Sequence, residues 1–181
     1  APAPAPAMRI NANLFTETWR VIGYAREERV VFLAILGISW FWLYGALFLA
    51  QFPAFAKNSL GGGETSVTLL LATFIVGISA GSLLCERMSG KRVELGLVPF
   101  GSIGLTLFGL DLAWAAPAAA PAGPPLALEA LLAQASTWRV LADLALIGLF
   151  GGFFIVPLYA LMQERSRAEP RARVKIGRAH G

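Results

Sequence analysis

Residues 81–92, GSLLCERMSGKR, concentrate ionisable side chains between two long apolar runs. An acid beside bases at a helix end can form an ion pair in one conformation and lose it in another, which would bias a two-state switch. A glycine at such a place lets a neighbouring helix approach closely. A basic turn that only sets membrane topology is the alternative. The candidate members of this loop motif are Gly81, Glu86, Arg87, Gly90, Lys91 and Arg92.

Two aspartates fall near the ends of apolar runs, where ionisable groups are costly and tend to face a protein interior. Arg139 precedes Asp143 by four residues, so we expect a local ion pair on one helix face. Asp111 has no such neighbour, and three explanations are open: it binds a cation, it pairs with a base elsewhere, or it lies shallow enough to be hydrated. For both aspartates a structural role is the simpler explanation.

Aromatic residues lie well inside the first apolar run, away from the interfacial zone where they usually gather. Tryptophan and tyrosine carry polar N–H and O–H groups that need partners when they are buried. A wall of this kind suits an amphiphilic substrate with an acyl chain and a polar head, whereas aromatic packing between helices is the simpler explanation for each residue alone. The candidate substrate-path residues are Trp40, Tyr44, Gln51 and Asp111.

The elements that must position these residues are helices in a membrane. Of 181 residues, 56% are hydrophobic and 14% are charged, and the apolar residues are clustered. About 20 apolar residues in a helix cross a bilayer core, and four runs qualify: 30–52, 67–85, 95–114 and 138–162. A β-barrel would need alternating segments, which are absent. The sequence therefore predicts an all-α membrane protein with four transmembrane helices.

Glycines recur at helical spacing within these runs. Gly77 with Gly81, and Gly148 with Gly152, form G-x-x-x-G pairs, and two more glycines lie three residues apart on the third run, at 101 and 104. Small residues at this spacing let helices touch backbone to backbone in lipid. We therefore expect close helix packing at these positions, as in any multi-pass bundle.

The basic residues predict the topology. Of 15 lysines and arginines, all but Lys57 and Arg139 lie on one side if the four runs span the membrane. This positive-inside pattern predicts that both termini are cytoplasmic, and it accounts for the positive charge better than a nucleic-acid-binding surface does.

The expected organisation has four parts. Residues 1–13 form a Pro/Ala linker, 14–29 a cytoplasmic interfacial helix, 30–162 the four-helix membrane domain and 163–181 a basic tail that breaks at Pro170. Helical pattern is also expected around 126–134 in the last outer loop. The final KIGRAHG resembles a translated sequencing adaptor, so we expect the natural chain to continue differently after about residue 174.

Catalytic and metal-binding patterns are not found. The chain has one histidine, His180, and one cysteine, Cys85, so an internal disulfide is excluded. The histidine followed by an aspartate four residues on, which acyltransferases use, cannot be built from His180. We therefore expect no enzyme activity, no cofactor and no metal ion.

The loop motif resembles the G-x-L-x-D-R-x-G-R-R signature of the major facilitator superfamily, with one extra residue and with glutamate as the acid. Three longer strings, 35–57, 81–112 and 148–173, resemble the major facilitator domain of bacterial lysophospholipid transporters. The resemblance covers about residues 11–174. It implies that the four spans correspond to helices 7–10 of twelve, a partial C-terminal half of the fold.

The same resemblance implies a function and partners. Such transporters move lysophospholipid, chiefly lysophosphatidylethanolamine, inward across the bacterial inner membrane by alternating access. In many bacteria the domain is fused to a 2-acylglycerophosphoethanolamine acyltransferase and an acyl-acyl carrier protein synthetase. The expected partners are thus membrane lipid, the lysophospholipid substrate, the missing helices and such an acyltransferase. A non-transporting four-helix scaffold, or the membrane domain of a fused acyltransferase, remains the alternative.

Overall fold

A computed structural model describes residues 28–90, 94–117, 119–120 and 123–178, with backbone alone from 166 onward. The described chain is mainly helical, and the loops between its helices contain one isolated bridge, between Gly62 and Leu126. The helices are α1 (Arg29–Asn58), α2 (Glu64–Ser89), α3 (Leu97–Ala115), α4 (Leu128–Leu132) and α5 (Ala135–Arg178).

Four helices are long and apolar enough to cross a membrane: α1, α2, α3 and the Ala135–Arg165 part of α5. A helix satisfies its own backbone hydrogen bonds, which is what a span through hydrocarbon requires. The prediction of an all-α membrane protein with four spans is confirmed. Each predicted run overlaps one helix, and α1, α2 and α5 extend past the predicted ends because helical hydrogen bonding continues into the flanking residues.

Helix α5 lies at the centre of the bundle. In its most apolar window 61% of the residues are buried, against 11–22% in the other three spans. The contacts of its glycines show that α5 runs parallel to α2 and antiparallel to α1 and α3. The outward faces of α1, α2 and α3 are rich in exposed leucine, isoleucine and tryptophan side chains. Such a surface is compatible with lipid, which is as apolar as these side chains are.

Two glycine pairs bring α2 and α5 into backbone contact. A Cβ added to Gly77 or Gly81 would overlap the backbone carbonyls of two α5 residues, Ala145 and Leu149. On the other side, a Cβ on Gly148 would lie 2.5 Å from the carbonyl oxygen of Phe74. No side chain fits between the two helices here, so the predicted glycine packing is confirmed.

Helix α3 packs on the opposite side of α5 through its own glycines. A Cβ on Gly101 would lie 2.6 Å from the backbone nitrogen of Phe154, and one on Gly104 would overlap the ring of Phe150. Gly104 therefore makes room for an aromatic ring, whereas Gly101 lets the two backbones approach.

The loops at one end of the bundle are joined. The amide of Ala120 donates to the carbonyl of Asn58 at 2.7 Å, and the amide of Leu126 donates to that of Gly61 at 2.8 Å. Helix α4, where the helical pattern was predicted, anchors here through the buried Leu131. This end of the bundle, which also contains the last residue of α1 and the first residue of α2, is called the α4 end. The opposite end is called the Arg165 end.

The Arg165 end carries an ion pair between helices. Arg165 Nη1 on α5 lies 3.2 Å from a carboxylate oxygen of Glu28, the residue before α1. Both side chains are about half exposed. The pair connects the beginning of the first span to the end of the last.

Two sequence predictions about the flanks have different outcomes. The predicted break at Pro170 is wrong, because α5 continues through it to Arg178. A proline removes one helical hydrogen bond, and its neighbours can still keep helical backbone geometry. The Pro/Ala linker and nearly all of the interfacial helix lie outside the described residues, and Arg29, its last predicted residue, begins α1 instead.

Candidate functional site

The first polar cluster lies toward the α4 end, between α3 and α5. Arg139 donates to both carboxylate oxygens of Asp111, from Nη2 at 2.6 Å and from Nε at 3.4 Å. The predicted local pair of Arg139 with Asp143 is therefore wrong. Because α3 is antiparallel to α5, its aspartate reaches the level of Arg139, and the pair remains partly exposed at 59% for Arg139 and 39% for Asp111.

Asp143 completes this cluster from the inside. It is only 4% exposed, and its Oδ2 atom is buried without a hydrogen-bond partner in the described part of the chain. It is close enough to Asp111 and to Arg139 to interact electrostatically with both. The cluster thus consists of two carboxyl groups and one guanidinium. The carboxyl group of Asp143 is buried between the packed helices.

The second feature is a row of aromatic rings on α1. Trp40 stacks on Tyr44 with ring centroids 5.3 Å apart, and Tyr44 packs on Phe48 at 4.7 Å. The row continues to Phe74 of α2, whose ring is 6.2 Å from that of Phe48. The first two contacts join rings one turn apart on α1, and the third joins α1 to α2, as is usual for aromatic packing.

The hydroxyl of Tyr44, in the middle of the row, points toward α3. It would lie 3.3 Å from a Cβ on Gly109, two residues before Asp111. The hydroxyl oxygen is buried and, among the described residues, has no hydrogen-bond partner. Of the predicted path residues, Trp40 is about half exposed and stays accessible, and Gln51 is exposed seven residues beyond Tyr44. The hydroxyl of Tyr44 on α1 thus lies beside the part of α3 that carries Asp111.

Trp42 has a polar partner that sequence reasoning missed. Its indole Nε1 donates to the hydroxyl of Tyr159 on α5 at 2.8 Å. Both side chains are exposed on the bundle surface, where hydrocarbon offers no other partner. The signal in the sequence was a tyrosine inside the fourth apolar run, which needed a partner as much as the tryptophan did.

The loop motif is only partly described. Gly81 is buried against α5, Glu86 and Arg87 are exposed in the last turns of α2, and Gly90 ends that helix in the left-handed conformation with φ 55°. Lys91 and Arg92 lie outside the described residues. Within residues 28–90 and 94–165, the side chains of Glu86 and Arg87 form no ion pair.

No part of the described chain gathers three histidine, cysteine, aspartate or glutamate side chains in a way that could hold a metal ion. Cys85 is free and buried on α2. The polar features that remain are the aspartate–arginine cluster, the tyrosine hydroxyl and the two ends of the bundle.

Three apolar spans packed around a fourth, central span define a multi-pass helical membrane protein. The chain is similar to "Lysophospholipid transporter LplT" of Serratia proteamaculans (strain 568), with 29% identity over 169 residues. The match takes in 92% of this chain but only 37% of the length of that relative. No family model matches the chain, and no solved structure does.

Proposed function

We propose that the chain is part of a secondary transporter that moves lysophospholipid across the bacterial inner membrane. The observation that carries this proposal is the similarity to a lysophospholipid transporter, which extends over 92% of the chain and so includes all four spans. Because the chain matches 37% of that relative, the transporting unit includes further helices.

In this proposal the four spans are helices 7–10 of a twelve-helix major facilitator fold. The described basic residues near the Arg165 end are Arg29, Arg87 and Arg165, whereas Lys57 and Arg139 lie toward the α4 end. By the positive-inside rule the Arg165 end faces the cytoplasm and the α4 end faces outward. Both termini are then cytoplasmic.

The substrate path follows the aromatic row of α1. A lysophospholipid has one acyl chain and a polar head, so it needs an apolar wall with a few polar groups. Trp40 offers a partly exposed ring, the Tyr44 hydroxyl has a free hydrogen-bonding capacity among the described residues, and Gln51 is exposed further along the helix. Asp111 provides charge at the outer part of the path.

The loop motif acts as the conformational switch in this proposal. Gly81 fixes α2 to the backbone of α5, while Glu86 and Arg87 extend from the free end of the same helix. An ion pair at this end that forms in only one state would favour that state. Substrate reaches alternate sides of the membrane as the two halves of the transporter rock against each other.

Two other functions would also fit a four-helix membrane protein. A scaffold needs no switch and no polar groups along α1, and the membrane domain of a fused acyltransferase needs only to hold its partner. The named relative is a transporter, which favours transport without catalysis by this chain.

The test is uptake of labelled lysophosphatidylethanolamine into spheroplasts of a strain without its own uptake. The protein to express is the full product of the gene that contains this chain. A chimaeric protein, in which residues 11–174 replace the matching segment of the Serratia relative, is expressed in parallel. Uptake by either protein supports transport, and no uptake by both at normal membrane abundance would sink the lysophospholipid proposal.

The switch is tested in the same assay with Glu86→Ala combined with Arg87→Ala. Glu129→Ala is the matched control, since it removes an exposed acid from α4 at the opposite end. We expect reduced uptake in the double variant and normal uptake in the control. Unchanged uptake in the double variant would show that residues 81–92 are not a conformational switch and only set the membrane topology.

A further inference from the structure

Asp143 presents a problem of charge that the proposed transport function does not explain. It lies eight residues into a membrane-spanning helix, is 4% exposed, and its Oδ2 is buried with no partner in the part of the chain that the structure describes. An isolated carboxylate in such a place costs far more than a neutral, hydrogen-bonded carboxyl group does. Something must remove or balance the charge.

The charged groups around Asp143 come from two helices. Asp111 approaches from α3, and Arg139 lies one turn earlier on α5 itself. The guanidinium of Arg139 is already bound to Asp111 through two nitrogen atoms, so its charge is balanced there. The other ionisable side chains described toward the α4 end are Tyr44 and Lys57 of α1, Glu64 of α2 and Glu129 of α4. The electrostatic influences on Asp143 come from Asp111 and Arg139.

Counting charges shows what is missing. With both aspartates ionised, the cluster has two negative charges and one positive charge, a net charge of −1. One monovalent cation would neutralise it. The described residues supply no third carboxylate or other ligand set for a metal ion, whereas a proton needs no further ligands.

We propose that Asp111 and Asp143 together bind one proton. The proton forms an O–H bond on the inner carboxyl group of Asp143, which then donates a hydrogen bond to the carboxylate of Asp111. Asp111 in turn accepts from Arg139, so the three groups form a chain from the buried side to the exposed side. The cluster is neutral with the proton and carries −1 without it.

This proton site would connect protonation to the packing of α3 against α5. Loss of the proton to water at the α4 end leaves two like charges beside each other, which favours separation of the two helices. Binding of the proton favours the packed arrangement seen here. A proton site of this kind is independent of the lysophospholipid proposal, because it depends on the cluster alone and not on any substrate.

The chain offers an unusually direct test, since Asp111 and Asp143 are its only two aspartates. The 181-residue chain is produced with aspartate labelled by ¹³C in the side-chain carboxyl group and placed in lipid nanodiscs. Infrared spectra at neutral pH are expected to show one protonated carboxyl band that shifts with the label. Nuclear magnetic resonance is expected to show one carboxylate signal and one protonated signal, which titrate as a coupled pair.

Variants assign the signals. Asp143→Asn should abolish the labelled protonated band, whereas Asp111→Asn should keep one labelled signal that titrates alone and no longer as one member of a coupled pair. The control Glu129→Gln should change neither. If a variant does not fold, the spectra of the unmodified chain still test the proposal. Two carboxylate signals at neutral pH that titrate independently, with no labelled protonated band, would overturn the proposal.

Discussion

Gly152 of α5 lies directly against the backbone nitrogen of Ser82 on α2, so close that a Cβ on Gly152 would stand 2.5 Å from that nitrogen. The neighbouring atom belongs to the backbone of a packed helix and cannot move aside like the end of a flexible side chain. Helix α5 is the central helix, so any displacement at this point also affects its contacts with α1 and α3.

Gly152→Ala is therefore expected to destabilise the bundle by about 2 kcal/mol, within the range of overpacked interiors. The free energy of unfolding can be followed in detergent or nanodiscs by circular dichroism during denaturation. Gly45→Ala is the matched control, because a Cβ there meets nothing within 4 Å. In a helix interior that exchange is expected to be neutral or to stabilise by up to about 1 kcal/mol. Equal effects of the two variants would contradict backbone contact between α2 and α5.

Tyr44→Phe removes a buried hydroxyl that has no partner among the described residues. Since a buried polar group without a partner is unfavourable, we expect stability to remain equal or to rise by about 1 kcal/mol. Uptake of lysophosphatidylethanolamine should fall in the same variant if the hydroxyl binds the substrate head. Lower stability would show that the hydroxyl is satisfied in the native protein, and normal uptake would remove Tyr44 from the path.

The hydrogen bond between Trp42 and Tyr159 is expected to contribute about 0.6 kcal/mol, the average for side-chain hydrogen bonds between membrane helices. A double-mutant cycle with Trp42→Phe and Tyr159→Phe measures the coupling without the change in ring packing. Trp114→Phe provides a control, because that side chain is 90% exposed. Additive effects of the two changes would mean that the hydrogen bond does not form in lipid.

The ion pair of Asp111 and Arg139 can be tested by exchanging its charges. Asp111→Arg alone places two arginines together and is expected to destabilise the protein, as is Arg139→Asp, which gathers three acids. The double variant should recover part of the loss, because the attraction between α3 and α5 is restored with its sign reversed. Recovery should weaken as salt rises, since the pair is partly exposed. No recovery at any salt concentration would count against a direct pair.

Single cysteines can determine the orientation of the bundle. Cys85 is 1% exposed and is expected to react slowly with maleimides, and Cys85→Ala removes it altogether. In that background, Glu129→Cys at the α4 end should be labelled by a membrane-impermeant reagent in intact spheroplasts. Glu164→Cys, near the Arg165 end, should be labelled only after lysis. The reverse result would invert the proposed topology and place both termini outside.

The sequence alone determined the class of the protein and the position of its spans. A continuous apolar run of about 20 residues has few other stable solutions than a membrane helix, and glycines at helical spacing indicated where helices meet. Gly77, Gly81, Gly148 and Gly152 all lie at close helix contacts, as predicted. The resemblance to lysophospholipid transporters lies in three long strings of the sequence itself, and a relative with that name shares 29% identity.

Only the tertiary structure decided which polar groups meet. Local spacing favoured Arg139 with Asp143, but Arg139 binds Asp111, 28 residues away, and leaves Asp143 sealed between helices. Sequence spacing could not predict the Trp42–Tyr159 hydrogen bond or the Glu28–Arg165 ion pair, because each joins residues more than a hundred positions apart. Periodicity along a chain fixes the face on which a side chain stands. Its partner depends on how antiparallel and parallel helices align in space, and that alignment is set by packing of the whole bundle.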